Sequence, residues 1–132
     1  MSTAKAIIKK PRPKYYDLNL MNLPLAGLVS IFHRITGIVL FLFFIPAALY
    51  ITQSSLSSEF DFQYWKSIFS HPIVKLILIG FIWAYVHHFC AGIRYLVMDM
   101  HIAMEKTKAR TSAQIVLIAG VVITALIGLK IW

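Results

Sequence analysis

Two short stretches place chemistry-capable side chains inside apolar sequence. The first is Ser30-Ile31-Phe32-His33-Arg34-Ile35-Thr36-Gly37. The second runs from Phe81 to Asp99 and carries His87, His88, Arg94 and Asp99. Ionisable groups inside a membrane-spanning segment are costly, so they face a partner, a cavity or a cofactor. Ser30 and Arg34 are four residues apart and share a helix face, which His33 borders. Arg34 brings several donors in a planar fork and stays charged, which suits a carboxylate or a carbonyl oxygen. Near a helix end the same side chain can instead snorkel to headgroups.

In the second stretch, neighbouring helical residues point about 100° apart. His87 and His88 therefore cannot both ligate one metal centre in the usual way. Gly80, Ala84, His88 and Gly92 recur every four residues, with Ala91, Tyr95 and Asp99 close to the same stripe. Small residues around a histidine leave room for a flat ligand, as a porphyrin needs beside an axial imidazole. A hydrogen bond to a neighbouring helix is the other use of such a histidine. His88 is the candidate ligand, and His87 is read as a packing residue. His88 precedes Asp99 by about 16 Å along the axis, near mid-membrane, and Arg94 lies about 9 Å nearer that end. This sets Arg94 level with His33 and Arg34, one layer below His88. Such a cationic layer suits haem propionates or a polar quinone headgroup.

These residues need helices that cross a bilayer. The chain has 132 residues, is 59% hydrophobic and only 14% charged. That balance argues against a soluble domain. Three apolar stretches are each long enough for a hydrocarbon core of about 30 Å, which takes roughly 20 helical residues. The expectation is an all-α fold of three transmembrane helices at about 25–52, 72–99 and 111–132, within a heteromeric helix bundle. Residues 1–24 form a basic arm, with Pro11 and Pro13 against helix and Tyr15 and Tyr16 near the headgroups. Pro24 suits the first turn of the first helix, and Pro46 suggests a kink. Gln53 to His71 reads as a polar, aromatic-rich loop. Ser70 with Pro72 signals the second helix, and Thr111 or Ser112 caps the third. Lys75 can snorkel. Gly120, Thr124 and Gly128 form a stripe for close helix packing in lipid.

The net charge of +8 sits at the ends of the apolar segments, so it reads as membrane orientation and lipid contact rather than nucleic-acid binding. The arm carries five basic residues and the 99–110 loop three. The 53–71 loop carries Lys66 against Glu59 and Asp61. The arm and the second loop are thus expected on the cytoplasmic side. The first apolar run is too long for a cleavable signal, and a retained span is expected. Cys90 stands alone, so it makes no intrachain disulfide and reads as a buried small residue. No CxxC, HExxH or readable nucleophile–base pair is present, and no residue is assigned a catalytic role.

Taken together, Arg12-Pro13, Leu23-Pro24, the Ser30 to Gly37 stretch, His88-Phe89-Cys90-Ala91-Gly92-Ile93-Arg94-Tyr95 and Asp99 resemble the cytochrome b membrane-anchor subunits of succinate dehydrogenase (respiratory complex II). The resemblance spans essentially the whole chain and follows S-x-x-H-R-x-[ST]-G and H-x-x-x-G-x-R-H-x-x-x-D patterns. It departs at Tyr95, where the pattern often has histidine.

The resemblance implies that His88 is an axial ligand of haem b iron, that Ser30 and Arg34 contact ubiquinone, and that His33 and Arg34 lie near the haem propionates, the region in which its depth also sets Arg94. It also implies an iron–sulfur subunit, a flavoprotein subunit that holds the succinate chemistry, and a second small membrane subunit supplying the other haem ligand. The location implied is the bacterial cytoplasmic (inner) membrane. A quinol–fumarate reductase anchor and a non-redox membrane scaffold are the alternatives. Quinone type and potentials separate the first, and a visible spectrum the second.

Overall fold

The computed structural model describes residues 23–102 and 104–132. The Lys5 to Lys14 basic cluster and the Arg12-Pro13 pair lie outside them. The described residues form helices and no strand: α1 (Leu25–Val39), a π-helical turn (Leu40–Phe44), α2 (Ile45–Ser55), α3 (Glu59–Ser70), α4 (Pro72–Asp99) and α5 (Lys106–Ile131). α1, the π turn and α2 run on as one apolar span, Leu25–Ser55; α4 and α5 are the other two helices long and apolar enough to cross a membrane.

Pro24 sits one position before the first helical residue. Its carbonyl accepts from the Gly27 and Leu28 amides at 2.8 and 3.1 Å, which starts α1. The break expected at Pro46 takes the form of the π turn just before it. Proline has no N–H to donate and its ring crowds the preceding turn. A widened turn relieves both problems without ending the span.

The segment read as a loop contains α3. Ser58 caps it, accepting from the Asp61 amide at 3.0 Å and donating to the Asp61 carboxylate at 2.7 Å. Trp65 ties α3 back to α2 by donating to the Ser54 hydroxyl at 3.0 Å. His71 rather than Ser70 caps α4, its Nδ1 accepting from the Ile73 amide at 3.3 Å. Ser70 donates instead to the Ser67 carbonyl.

α5 begins at Lys106, earlier than the expected start at Thr111. The Thr111 and Ser112 hydroxyls bond the carbonyls of Thr107 and Ala109 inside the helix. Used in that way they do not cap an end, and Lys, Ala and Arg before them are good helix formers. α4 stops where His101 enters the left-handed region at φ 59°, which histidine tolerates better than most side chains.

α4 packs against both α1 and α5, with a small core of Val29, Ala91, Ala113 and Val116. The Lys75 ammonium, at the start of α4, donates to the Trp132 carbonyl at 3.1 Å and lies over the Trp132 ring. The start of α4 and the end of α5 therefore share one side. The starts of α1 and α5 line a common pocket containing Lys106 and Arg110. Gly120, Thr124 and Gly128 are all buried. A Cβ on Gly120 would meet His87 and Trp83 at 3.8 Å, and one on Gly128 would meet Ile79 at 3.5 Å. Those distances admit alanine but no branched side chain. Gly120→Leu is expected to cost about 1–3 kcal/mol by overpacking, while Gly120→Ala stays near wild type. Thermal unfolding of the detergent-solubilised protein checks both.

Candidate functional site

The two adjacent histidines of α4 lie in different surroundings. His87 is fully buried. Trp83 stacks on it at 5.4 Å between centroids, and Phe32 meets it edge-on at 5.8 Å. The Val29 carbonyl approaches the ring, but among the described residues neither ring nitrogen reaches hydrogen-bond geometry with a partner. This ring fills the junction of α1, α4 and α5, in keeping with a packing residue.

His88 is half-buried and faces α1. Its Nδ1 stands 3.1 Å from the His33 carbonyl and 3.4 Å from the Thr36 hydroxyl. A carbonyl only accepts, so Nδ1 carries the proton, and in the neutral ring Nε2 then keeps its lone pair. The His33 ring stacks on the His88 ring, with centroids 4.2 Å apart and planes 12° apart, and reaches on to Tyr95 at 5.2 Å. Gly37 lies against the imidazole: a Cβ there would stand 3.0 Å from Cε1.

His88 and Gly37 line two adjoining outward grooves. One holds His33, Arg34, Ile38 and Phe41, and the other Leu40, Phe44, Tyr85 and Phe89. Arg34 is exposed at the first groove, and Ser30 lies one helical turn before it on α1.

The structure thus gathers His33, Arg34 and His88, with Ser30 on the adjoining turn. It sets Arg94 apart. Arg94 is buried, its Nε donates to the Ser112 hydroxyl at 2.9 Å, and Nη2 donates to the Ala109 carbonyl at 3.3 Å. Its head therefore faces α5, although it lies level with Tyr95 and, through it, with His33. The separate polar layer expected below His88 is instead continuous with it, because the His33 carbonyl and ring both reach His88. Counting rise along two parallel axes leaves out that reach. Hydrogen bonds to a charged group are worth about 1.5–3 kcal/mol. Arg94→Met is expected to loosen α4 from α5 and lower the thermal midpoint of unfolding.

The room beside His88 also comes from an unexpected source. Ala84 is buried in packing, and nothing stands within 4 Å of a Cβ built on Gly80. Gly92 faces the His33 Nε2. Residues four apart advance by about 40° around a helix, so the stripe drifts off the His88 face and Gly37 of α1 supplies the space. Thr36, Phe41 and Tyr85 join the site without having been singled out. Their signal was spacing: Thr36 is three residues after His33, Phe41 four after Gly37, and Tyr85 three before His88.

Among the described residues no three His, Cys, Asp or Glu side chains converge on a metal site. The grooves offer one imidazole nitrogen in a fixed tautomer, a glycine that keeps its flank open, aromatic and aliphatic walls, and a guanidinium at the rim. That set fits one face of a haem, with an axial nitrogen and an apolar bed. A ring whose Nδ1–H is held by a carbonyl has the usual arrangement of a metal-ligating histidine.

Residues 8–127 match the family model described as the succinate dehydrogenase/fumarate reductase transmembrane subunit. The chain is similar to the succinate dehydrogenase cytochrome b556 subunit of Coxiella burnetii, 32% identical over 92% of this chain and 97% of the relative. The corresponding subunit of Paracoccus denitrificans is 32% identical over 92% of each chain. That of Rickettsia bellii is 29% identical over 96% of this chain and 98% of the relative.

Proposed function

The chain belongs to the family of succinate dehydrogenase/fumarate reductase transmembrane subunits, and from that premise we propose that it is the haem b-bearing membrane anchor of a succinate–ubiquinone oxidoreductase. The observation that carries this reading is the His88 imidazole, held by the His33 carbonyl through Nδ1 at 3.1 Å and lining grooves that open outward. His88 would hold the haem iron, with Nε2 as the free ring nitrogen. The haem, when bound, supplies a one-electron carrier. The outward opening of the grooves supports a second small membrane subunit that would supply the other iron ligand.

Ser30 and Arg34 bind ubiquinone. The Ser30 hydroxyl donates to a quinone carbonyl. The Arg34 guanidinium stabilises the negative charge that develops on oxygen as electrons arrive, an oxyanion-type role. Two electrons and two protons convert the quinone to quinol, the electrons coming from an iron–sulfur subunit docked at the cytoplasmic face. Succinate is oxidised in a flavoprotein subunit beyond it. His33 lies between the quinone-binding turn and His88 and borders the propionate region with Arg34. Arg94 serves that region from behind, by fixing α4 to α5 beside Tyr95. The N-terminus faces the cytoplasm and the chain crosses the bacterial inner membrane three times, with lipid covering its apolar outer faces.

A reduced-minus-oxidised spectrum of the purified membrane complex tests this reading. A b-type haem band in proportion to this chain supports it. A complex that contains the chain and no haem leaves it a non-redox scaffold. Quinone potentials separate succinate oxidation from fumarate reduction, the other direction the family includes.

A further inference from the structure

The contacts that fix His88 come from one turn of α1. The His33 carbonyl accepts from Nδ1 at 3.1 Å. The Thr36 hydroxyl, in a side chain only 3% exposed, donates most closely to the Phe32 carbonyl at 2.7 Å and also lies 3.1 Å from the His33 carbonyl. Its single proton is thus directed at backbone oxygens. Its lone pairs remain, and the oxygen stands 3.4 Å from His88 Nδ1 as a second, longer acceptor. Gly37 completes the turn, since a Cβ there would stand 3.0 Å from Cε1 and 3.4 Å from Nδ1 of the same ring. The imidazole would have to move by a few tenths of an ångström to admit even alanine.

We propose that Thr36, Gly37 and the His33 carbonyl form a positioning turn that sets the tautomer, ring plane and electron donation of His88 towards iron. This rests on the assignment of His88 as the haem ligand. Acceptors on Nδ1–H raise the basicity of the ligating nitrogen. A more basic axial ligand stabilises the ferric state and lowers the haem potential. Thr36 and Gly37 are positioning residues in this account, since they act through His88.

The test is a potentiometric titration of haem in the complete membrane complex, with the ferric EPR signal recorded on the same samples. Thr36→Val removes the hydroxyl and keeps the volume. It is expected to raise the potential, by about threefold in the oxidised-to-reduced ratio at a fixed potential, or roughly 28 mV at 59 mV per tenfold. Thr36→Ser keeps the hydroxyl and is expected to restore the wild-type potential. Gly37→Ala displaces the ring and is expected to shift the EPR signal, whether or not haem content falls. His88→Leu in the same background separates two kinds of failure. If His88→Leu leaves the haem spectrum unaltered, the ligand assignment is wrong and the proposal falls with it. If His88→Leu destroys the spectrum, while Thr36→Val leaves the potential and Gly37→Ala leaves the EPR signal unchanged, the positioning turn alone is overturned.

Discussion

His88→Leu is expected to lower haem content in the purified complex by at least about tenfold, because leucine fills much of the ring's volume but offers iron no lone pair. The substitution is expected to leave succinate oxidation with an artificial acceptor intact, as the proposed division of labour places that chemistry in a flavoprotein subunit. His87→Leu is the matched control one residue away. Among the described residues the His87 nitrogens have no hydrogen-bond partner in a fully buried site. Replacing an unsatisfied polar ring with an apolar side chain relieves a desolvation penalty of about 1–3 kcal/mol, against which stands some loss of stacking on Trp83. The control therefore keeps its haem band and stays near wild-type stability. Haem quantitation on both variants reads the contrast. Equal loss from both would mean that the α4 core, rather than His88, governs haem retention.

The second large effect belongs to Arg34. Arg34→Ala removes the charged donor from the rim of the groove, and loss of one such donor costs about 10²–10³ in turnover. Ser30→Ala removes one neutral hydrogen bond, worth about 1 kcal/mol, and is expected to slow quinone reduction several-fold. Both variants leave the seating of His88 intact, because the contacts that hold it run through the His33 backbone and Thr36. Succinate oxidation with an artificial acceptor and succinate–quinone reduction, measured on the same preparation, separate the effects. Quinone turnover that survived both changes would place the quinone elsewhere.

The long elements were legible because lipid imposes a simple rule: an uninterrupted apolar run of sufficient length becomes a spanning helix. The Gly120–Thr124–Gly128 stripe was legible for a related reason, since in lipid small residues mark where helices meet. The separation of His87 from His88 followed from helical rotation alone. α3 reads as a loop in sequence because its aromatic and acidic residues resemble one in composition. Its readable sign was Ser58 followed three residues later by Asp61, a helix N-terminus signature. The start of α5 was misplaced because Thr111 and Ser112 have the right chemistry for a cap but bond backward within the helix.

The site shows the same division. Spacing along one helix placed Ser30, His33 and Arg34 together. The contacts of His88 with the His33 carbonyl, Thr36 and Gly37 depend on how α1 and α4 pack, which no spacing within one helix encodes. Arg94 is the clearest instance. Its depth was correct relative to Tyr95 and His33, but the side chain turned toward Ser112 because α5 offered a hydroxyl and a carbonyl to satisfy it. A buried guanidinium goes where its donors find acceptors.

On the proposed reading, this chain supplies one of two imidazole nitrogens to a haem shared with another subunit. The most direct measurement is the low-temperature EPR spectrum of ferric haem in the purified complex, wild type against His88→Met. The expected result is a low-spin bis-imidazole signal in the wild type that is lost or replaced in the variant. An identical bis-imidazole signal in both would contradict the claim, because both iron ligands would then come from outside this residue.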